Sequence, residues 1–564
     1  MDPARKSPAM FMPWQVAAPF FFFVLHACLF RAWLIDDAGI SFAYARNLAH
    51  GCGLVSQCGV APVEGFSNPL WTFLLAPLFI HAPMDPTPLI KGVSLLLVLG
   101  TFLLVNSIGR LLAGSSWWSK PFTLVVLTFL SINTSFVAWT TSGLENPLYA
   151  FFSALYGFFT VKYASDDTAR HGRVAVWAGC SAAALALTRP DGVIFFAAFP
   201  LALAIRMLNV PSPWRREARG LAAFLAAASL PLAVYLVFRM SYFGDYYPNT
   251  YYAKRGPTAK DLLQFLMLSK HYTDNALELL HSVFSRYTGP ILLLFLAASL
   301  RLLLVRRKTA PAVFLLPALA CSWAIYCLLP GDWMAEYRFA TPFLVFFPIV
   351  LLAMVADILD TPRLSLRSRK IGFFVVAIAF LAQSAVEYIP RSLRFARNPT
   401  VPFELVTRKY AVRFNNYAQE LHLQDASLLC PDLGGTLYFS QLRIYDLSGL
   451  CDRALAPLIN SRSAAFSTYV LTDLRPTFIH THDIWSVRSG LFRDPRFKTL
   501  YAVIQEQPSE LAGKLGHKGI FSGDYVRKDA LNSEEDLERL RRRLLEDPLE
   551  STPGTKGPLP FPRG

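Results

Sequence analysis

Asp36 and Asp37 are adjacent carboxylates that follow directly on the apolar run from Phe11 to Leu34. If that run crosses a bilayer, the pair lies at its far water boundary, where a carboxylate is costly unless solvated, paired or used. A carboxylate within hydrogen-bond reach of a hydroxyl can take its proton as general base. Adjacent acids repel, which raises the pKa of one of them. On a helix they diverge by about 100°, so one alone aims at a given atom. Asp36, nearer the end of the apolar run, is the first choice for that base. Arg189 and Arg338 are lone arginines in short connections, and their forked donors suit an oxyanion such as phosphate. Glu64, Glu145, Asp191, Asp245, Asp332 and Glu336 are candidate pocket acids, and Trp71, Trp139, Tyr246, Tyr247 and Trp333 offer flat faces for a ring substrate. Each has a plainer reading. The acid pair can cap a helix and fill its first turn. Arg189 can pair with Asp191, and Arg338 with Asp332 or Glu336. The aromatics can belong to an interfacial belt.

The elements that must position these residues are membrane spans. The chain has 564 residues, 54% hydrophobic and 16% charged, with a mean hydropathy of +0.36, and its apolar residues come in long blocks. That places it in the polytopic membrane class. About eleven spans are expected, near 12–34, 88–109, 121–138, 147–163, 174–188, 193–210, 220–240, 288–305, 310–329, 340–358 and 371–389. The first is read as an uncleaved anchor. With the N-terminus in the cytoplasm, every inner connection is basic, from Arg110 and Lys120 through Arg215, Arg216 and Arg219 to Arg367, Arg369 and Lys370. The positive-inside rule then predicts an inner (plasma) membrane protein with that orientation. It also absorbs the net charge of +15, so a nucleic-acid partner is not expected. Every outer connection carries an acid. The first includes Val63-Glu64-Gly65-Phe66-Ser67-Asn68-Pro69-Leu70-Trp71. The apolar stretch Leu70 to Ile80 is too short to span and reads as a re-entrant or interfacial helix started by Asn68-Pro69.

After about residue 390 the long apolar blocks stop. Short β-like runs at Ser427–Cys430, Thr436–Ser440, Arg443–Leu447, Phe478–His480, Thr499–Ile504 and Gly519–Tyr525, with a helix over Thr407–Leu421, predict a soluble α/β domain on the outer face. The expected layout is an all-α membrane core at 1–389, an extracytoplasmic α/β domain at 390–530, and at 531–564 a charged helix (Ser533 to Glu546) with a disordered Pro- and Gly-rich tail. Cys52 with Cys58, and Cys430 with Cys451, are even pairs where an oxidising compartment would allow disulfides, against a reading as free thiols. No CxxC pair or His cluster has metal-ligand spacing, so a structural zinc site is not expected. No cofactor motif is present, and a divalent cation is compatible with the carboxylates.

Sugar transfer from a polyprenyl phosphate needs a base for the acceptor hydroxyl, cations for the departing phosphate, surfaces that orient the sugar and an apolar groove for the lipid tail. The chain can supply each. The motif pattern also resembles a known family. Asp36-Asp37, Tyr44-Ala45-Arg46-Asn47-Leu48, Val63 to Trp71, Thr141-Ser142-Gly143-Leu144-Glu145, Leu187-Thr188-Arg189-Pro190-Asp191-Gly192, Gly244 to Lys254 and Gly331 to Phe339 are similar to the GT-C polyprenyl-phosphate-sugar glycosyltransferases. They are most similar to the terminal β-(1→2)-arabinofuranosyltransferase branch of mycobacterial arabinan synthesis. Pro431 to Gly435 and Asp446 to Leu450 carry a looser likeness. The resemblance implies a helical GT-C core and a first-loop acid as catalytic residue, here Asp36 or Asp37. It further implies a polyprenyl-phosphate sugar as donor, with arabinofuranose as the specific case, and a cell-envelope glycan as acceptor. The Cys52–Cys58 segment departs from the plain polar turn expected there. The rival readings are a lipid-linked sugar transporter or flippase, for which paired internal repeats with broken helices are missing, and a non-catalytic glycan-assembly protein, which leaves the acid pair without a role.

Overall fold

The computed structural model describes residues 12–546 apart from 83, 115, 166–170, 210–212, 255–260, 262, 265–266, 268, 270–273, 275–276, 282–310, 330–331, 362, 462–463 and 517–518. The expected span at 288–305 and the tail from 552 lie outside these residues. The chain is a helical membrane bundle followed by a sheet-containing domain.

Among the described residues, five helices are long and apolar enough to cross a bilayer, at Thr87–Ala113, Pro190–Leu208, Trp214–Phe243, Arg338–Leu359 and Leu366–Arg397. A sixth is reached if Ser119–Ile132 and Thr134–Thr140, bent by 72°, count as one span. The expectation of eleven is therefore too high for this set. The first apolar run forms only the 16-residue helix α1 (Trp14–Leu29), because the chain turns at Phe30 and extends toward Asp36. Asn146–Ser165 and His171–Thr188 are helical, but their Ser, Thr, Gly and Ala content lowers their hydropathy. Small residues serve close helix packing in membranes. A Cβ on Gly179 would lie 2.4 Å from the Phe224 carbonyl of the helix Trp214–Phe243.

The first connection folds as two short helices, α2 (Ala38–Ala49) and α3 (Pro69–Phe79). The second is the 11-residue helix opened by Asn68-Pro69. Cys52 and Cys58 are joined by a disulfide in the loop between them. The last bundle helix runs eight residues past the expected end at 389, to Arg397. Its Pro390 lies inside the helix without ending it.

The later domain has one five-stranded sheet of β1 (Ser427–Cys430), β2 (Arg443–Asp446), β3 (Phe478–Thr481), β4 (Tyr501–Pro508) and β5 (Phe521–Arg527), ordered β2-β1-β3-β5-β4. The pairs β1–β2 and β1–β3 are parallel, and β3–β5 and β5–β4 antiparallel. One face packs on the helical run 403–420 and on Ile40, Ala43, Tyr44 and Phe66 of the first connection. The other face has its own core around Leu429, Phe466, Ile479 and Tyr525. The expected strand Thr436–Ser440 is instead a short helix, Gly434–Phe439. Its orphan N–H groups find a carboxylate 398 residues earlier in the chain, described below. Ser533 and Asp536 form a reciprocal capping box that starts the charged helix Glu534–Leu545.

Candidate functional site

Asp36 joins the two halves of the protein. Its backbone N–H donates to the Val401 carbonyl at 3.0 Å. Its carboxylate accepts from the Gly435 N–H at 2.7 Å and the Gly434 N–H at 3.1 Å, at the start of the helix Gly434–Phe439. It is buried. Burial, then the charge of Asp432, push its pKa well above the usual carboxylate range, while the two glycine N–H groups pull it back. Both carboxylate oxygens are thus held by the later domain. The fit depends on Gly434, where a Cβ would lie 1.6 Å from the Asp36 carbonyl oxygen. Gly434→Ala is expected to separate this contact and destabilise the protein by about 1–3 kcal/mol, the usual cost of overpacking, measured as a lower melting temperature in detergent.

Asp37 has the other environment. It is half-buried at the start of α2 and lies among the charges around Lys254. That lysine ends the short helix Asn249–Lys254. Its side chain is reached by water but crowded by protein. Desolvation lowers its pKa, opposed by Asp37, Asp332 and Glu145 and assisted by Arg338. Lys254 was not picked out in the sequence. Its signal was there, a cation in an outer connection where the orientation rule supplies no reason for one.

Glu145 begins a closed network. It accepts from Asn68 Nδ2 at 2.7 Å and pairs with Arg189 at 2.9 Å. Arg189 Nε donates to Asp191 at 3.0 Å, and the Tyr149 hydroxyl donates to Asp191 at 3.4 Å. Asn68, which looked like a helix cap, makes no side-chain cap and instead accepts from Ser41 at 3.0 Å. Arg189 is buried with its donors engaged by two carboxylates. The Phe339 ring lies between the two arginines, 4.7 Å from the Arg189 guanidinium and 4.6 Å from that of Arg338.

Arg338 differs. Its Nε lies 2.6 Å from Asp332 Oδ2 as an ion pair, but the two are misaligned and neither atom has a hydrogen bond. Both residues line a cavity of about 570 Å³ with Glu278, Tyr326, Trp333, Glu336, Arg391 and Arg394. That volume is in the range of small-molecule sites. Arg391 pairs with Glu336 at 2.5 Å, and Trp139 Nε1 donates to the Glu336 carbonyl. Glu336 and Tyr337 hold φ of 68° and 48°. Two successive non-glycine residues in the left-handed region are costly, and such strain concentrates at functional sites.

Other candidates stand elsewhere. Glu64 is bound by Arg239 at 2.6 Å and by the Tyr235 hydroxyl at 2.7 Å. The Trp71 indole is enclosed and donates to the Gly143 carbonyl. Asp245 pairs with Arg453 at 2.8 Å, and Tyr246 is exposed beside it. Cys430 and Cys451 are free thiols, which corrects their expected pairing. Both stand at the same end of the parallel β1–β2 pair, Cys430 buried in β1 opposite Asp446 and Cys451 donating its backbone N–H to the Asp446 carboxylate.

Asp432, His480 and His482 bring one donor atom each to within 4.8 Å of one another, a group able to hold a divalent cation. This group was not expected from the sequence, where no His cluster has metal-ligand spacing. His480 and His482 alternate at the end of a strand, and residues i and i+2 of a strand share a face.

No family model matches the chain. Over 234 residues, 40% of this chain, it is 32% identical to the terminal β-(1→2)-arabinofuranosyltransferase of Mycobacterium tuberculosis, and the match spans 35% of that relative, about a third of its length. Among solved structures it is similar to the archaeal oligosaccharyltransferase AglB from Archaeoglobus fulgidus with an inhibitory peptide and a dolichol-phosphate. There the TM-score is 0.50 at 11% identity, over 91% of this chain and 74% of that one. The apo form of the Archaeoglobus fulgidus oligosaccharyltransferase gives 0.52 at 12% identity, over 83% and 69%. Identities this low speak to architecture alone, and that architecture extends over most of the chain: this chain is a multi-pass membrane protein that shares its fold with the Archaeoglobus fulgidus oligosaccharyltransferase.

Proposed function

We propose that the chain transfers a sugar from a polyprenyl-phosphate donor to a cell-envelope glycan, at the extracytoplasmic face, with Asp37 as general base. The observation that carries this reading is that the charges of Asp37, Asp332 and Arg338 all act on the exposed Lys254, with Asp332 and Arg338 paired in the wall of the 570 Å³ cavity. The acceptor hydroxyl gives its proton to the Asp37 carboxylate as its oxygen bonds the anomeric carbon. The bond from that carbon to the phosphate oxygen breaks, and the phosphate leaves as an anion. Arg338, whose Nε has no aligned hydrogen bond, and Lys254 neutralise it. Trp333, exposed at the cavity wall, is the surface for the sugar. Arg189 positions Glu145 and does not meet the phosphate. Asp36 is the tie to the later domain, so the two halves act as one unit. Arabinofuranose is the preferred sugar, on the strength of the 32% identity to an arabinofuranosyltransferase.

The test uses purified protein with labelled decaprenyl-phosphoarabinose and a short arabinan acceptor. Labelled product from the wild type is expected. Arg338→Gln should weaken donor binding by about 10- to 100-fold, the loss of one charge-assisted contact, read by direct binding of the labelled donor. Donor bound by the wild type without any transfer would support a transporter. No donor binding would remove arabinose and leave other polyprenyl sugars to be tried.

A further inference from the structure

We propose that Asp432, His480 and His482 form a zinc-class cation site that clamps the loop holding Asp36. The site lies in the later domain and shares no residue with the Asp37 centre. Three observations carry it. The three donor atoms already lie within 4.8 Å of one another, and tetrahedral zinc needs about 3.3 Å between ligands at bond lengths near 2.0–2.1 Å, a small contraction. His480 is 5% exposed, and its Nε2 is buried with no hydrogen-bond partner among the described residues. Its other nitrogen, Nδ1, is 2.5 Å from an oxygen of the fully buried Asp524, which also accepts from Gln505 Nε2. A carboxylate behind one imidazole nitrogen, with the other nitrogen free, is the arrangement that orients a metal-binding histidine. His482 Nε2 is 2.8 Å from Asp432 Oδ2, so an ion enters by displacing the proton these two share.

Two imidazoles and one carboxylate favour a borderline divalent ion such as Zn²⁺ over Mg²⁺ or Ca²⁺, which prefer all-oxygen shells. Asp432 is followed two and three residues later by Gly434 and Gly435, whose N–H groups hold Asp36. Fixing Asp432 to β3 would therefore stiffen the junction between bundle and sheet.

The experiment takes the full-length protein in detergent, strips it with a chelator and titrates zinc against a competing chromophoric chelator. One zinc per chain is expected. Affinity should fall at least about tenfold in His480→Gln and in His482→Gln, and about 10- to 100-fold in Asp524→Asn, which removes the carboxylate that orients His480 and also faces Arg413 Nη1 at 3.5 Å. His281→Gln, at a residue that lines the 570 Å³ cavity, should bind zinc as the wild type does. Zinc should raise the melting temperature of the wild type and not of His480→Gln. Equal zinc binding by wild type and His480→Gln overturns the site. If the variants do not fold, the zinc X-ray absorption spectrum of the wild type decides. Scattering from two imidazoles is expected, and a spectrum without imidazole overturns the proposal. Both readouts are independent of sugar transfer, so this site and the transferase reading fail separately.

Discussion

Asp37→Asn is expected to lower the transfer rate by about 10²- to 10⁴-fold, the range of a lost general base, with donor binding unchanged. The amide keeps the size of the side chain and removes only its capacity to accept a proton. The base is placed at Asp37 because its neighbour is already spent. The Asp36 carboxylate takes hydrogen bonds on both oxygens from Gly434 and Gly435, while Asp37 lies half-buried among the charges that surround Lys254. Asp36→Asn should therefore show the opposite profile. An amide in place of that carboxylate sets its NH₂ against one of the two glycine N–H groups, so stability falls first, and the folded fraction keeps most of its rate. Steady-state kinetics and melting curves on both variants separate the roles. A large rate loss in a well-folded Asp36→Asn, with an active Asp37→Asn, would reverse the assignment.

Arg189→Met should destabilise the protein by about 3–5 kcal/mol, the cost of leaving buried charges without their partner. Arg189 is held by Glu145 at 2.9 Å and Asp191 at 3.0 Å, and all three are buried. Removal of the cation leaves two carboxylates facing each other in a dry site. Adding Glu145→Gln and Asp191→Asn to Arg189→Met should recover much of the loss, because no buried charge then remains. The readout is chemical or thermal denaturation in detergent, with donor binding measured on the same samples. If Arg189→Met stays stable and loses donor binding, this arginine meets the phosphate and the network reading is wrong.

Several features were legible in the chain because they depend on near neighbours or on composition. Long apolar blocks dictate a membrane bundle, since backbone polar groups in lipid must be satisfied within a helix. The end of those blocks dictates a change of domain, and all five strands overlap runs whose bulk and alternation suit a sheet. Asn68-Pro69 announces a helix start, and Arg189 sits two residues from its partner Asp191. Features that join distant segments were not legible. Gly434–Phe439 looks like a strand until Asp36 supplies the acceptor for its first N–H groups. Among the described residues fewer helices have the length of a span than the eleven expected, because hydropathy marks apolarity but not where a chain turns, as α1 does at Phe30.

What the sequence determined by itself is the class of molecule and the supply of acids, arginines and aromatics. The tertiary structure alone decided their employment. Two neighbouring aspartates have different surroundings because one meets a helix start 398 residues away and the other stays half-buried, its charge acting on Lys254. Two histidines, His480 in β3 and His482 just past its end, come near Asp432 only when β1 and β3 pair side by side. The physical reason is the same in each case. A side chain's protonation and reach are set by the dielectric and the partners around it, and those come from contacts that no local periodicity encodes.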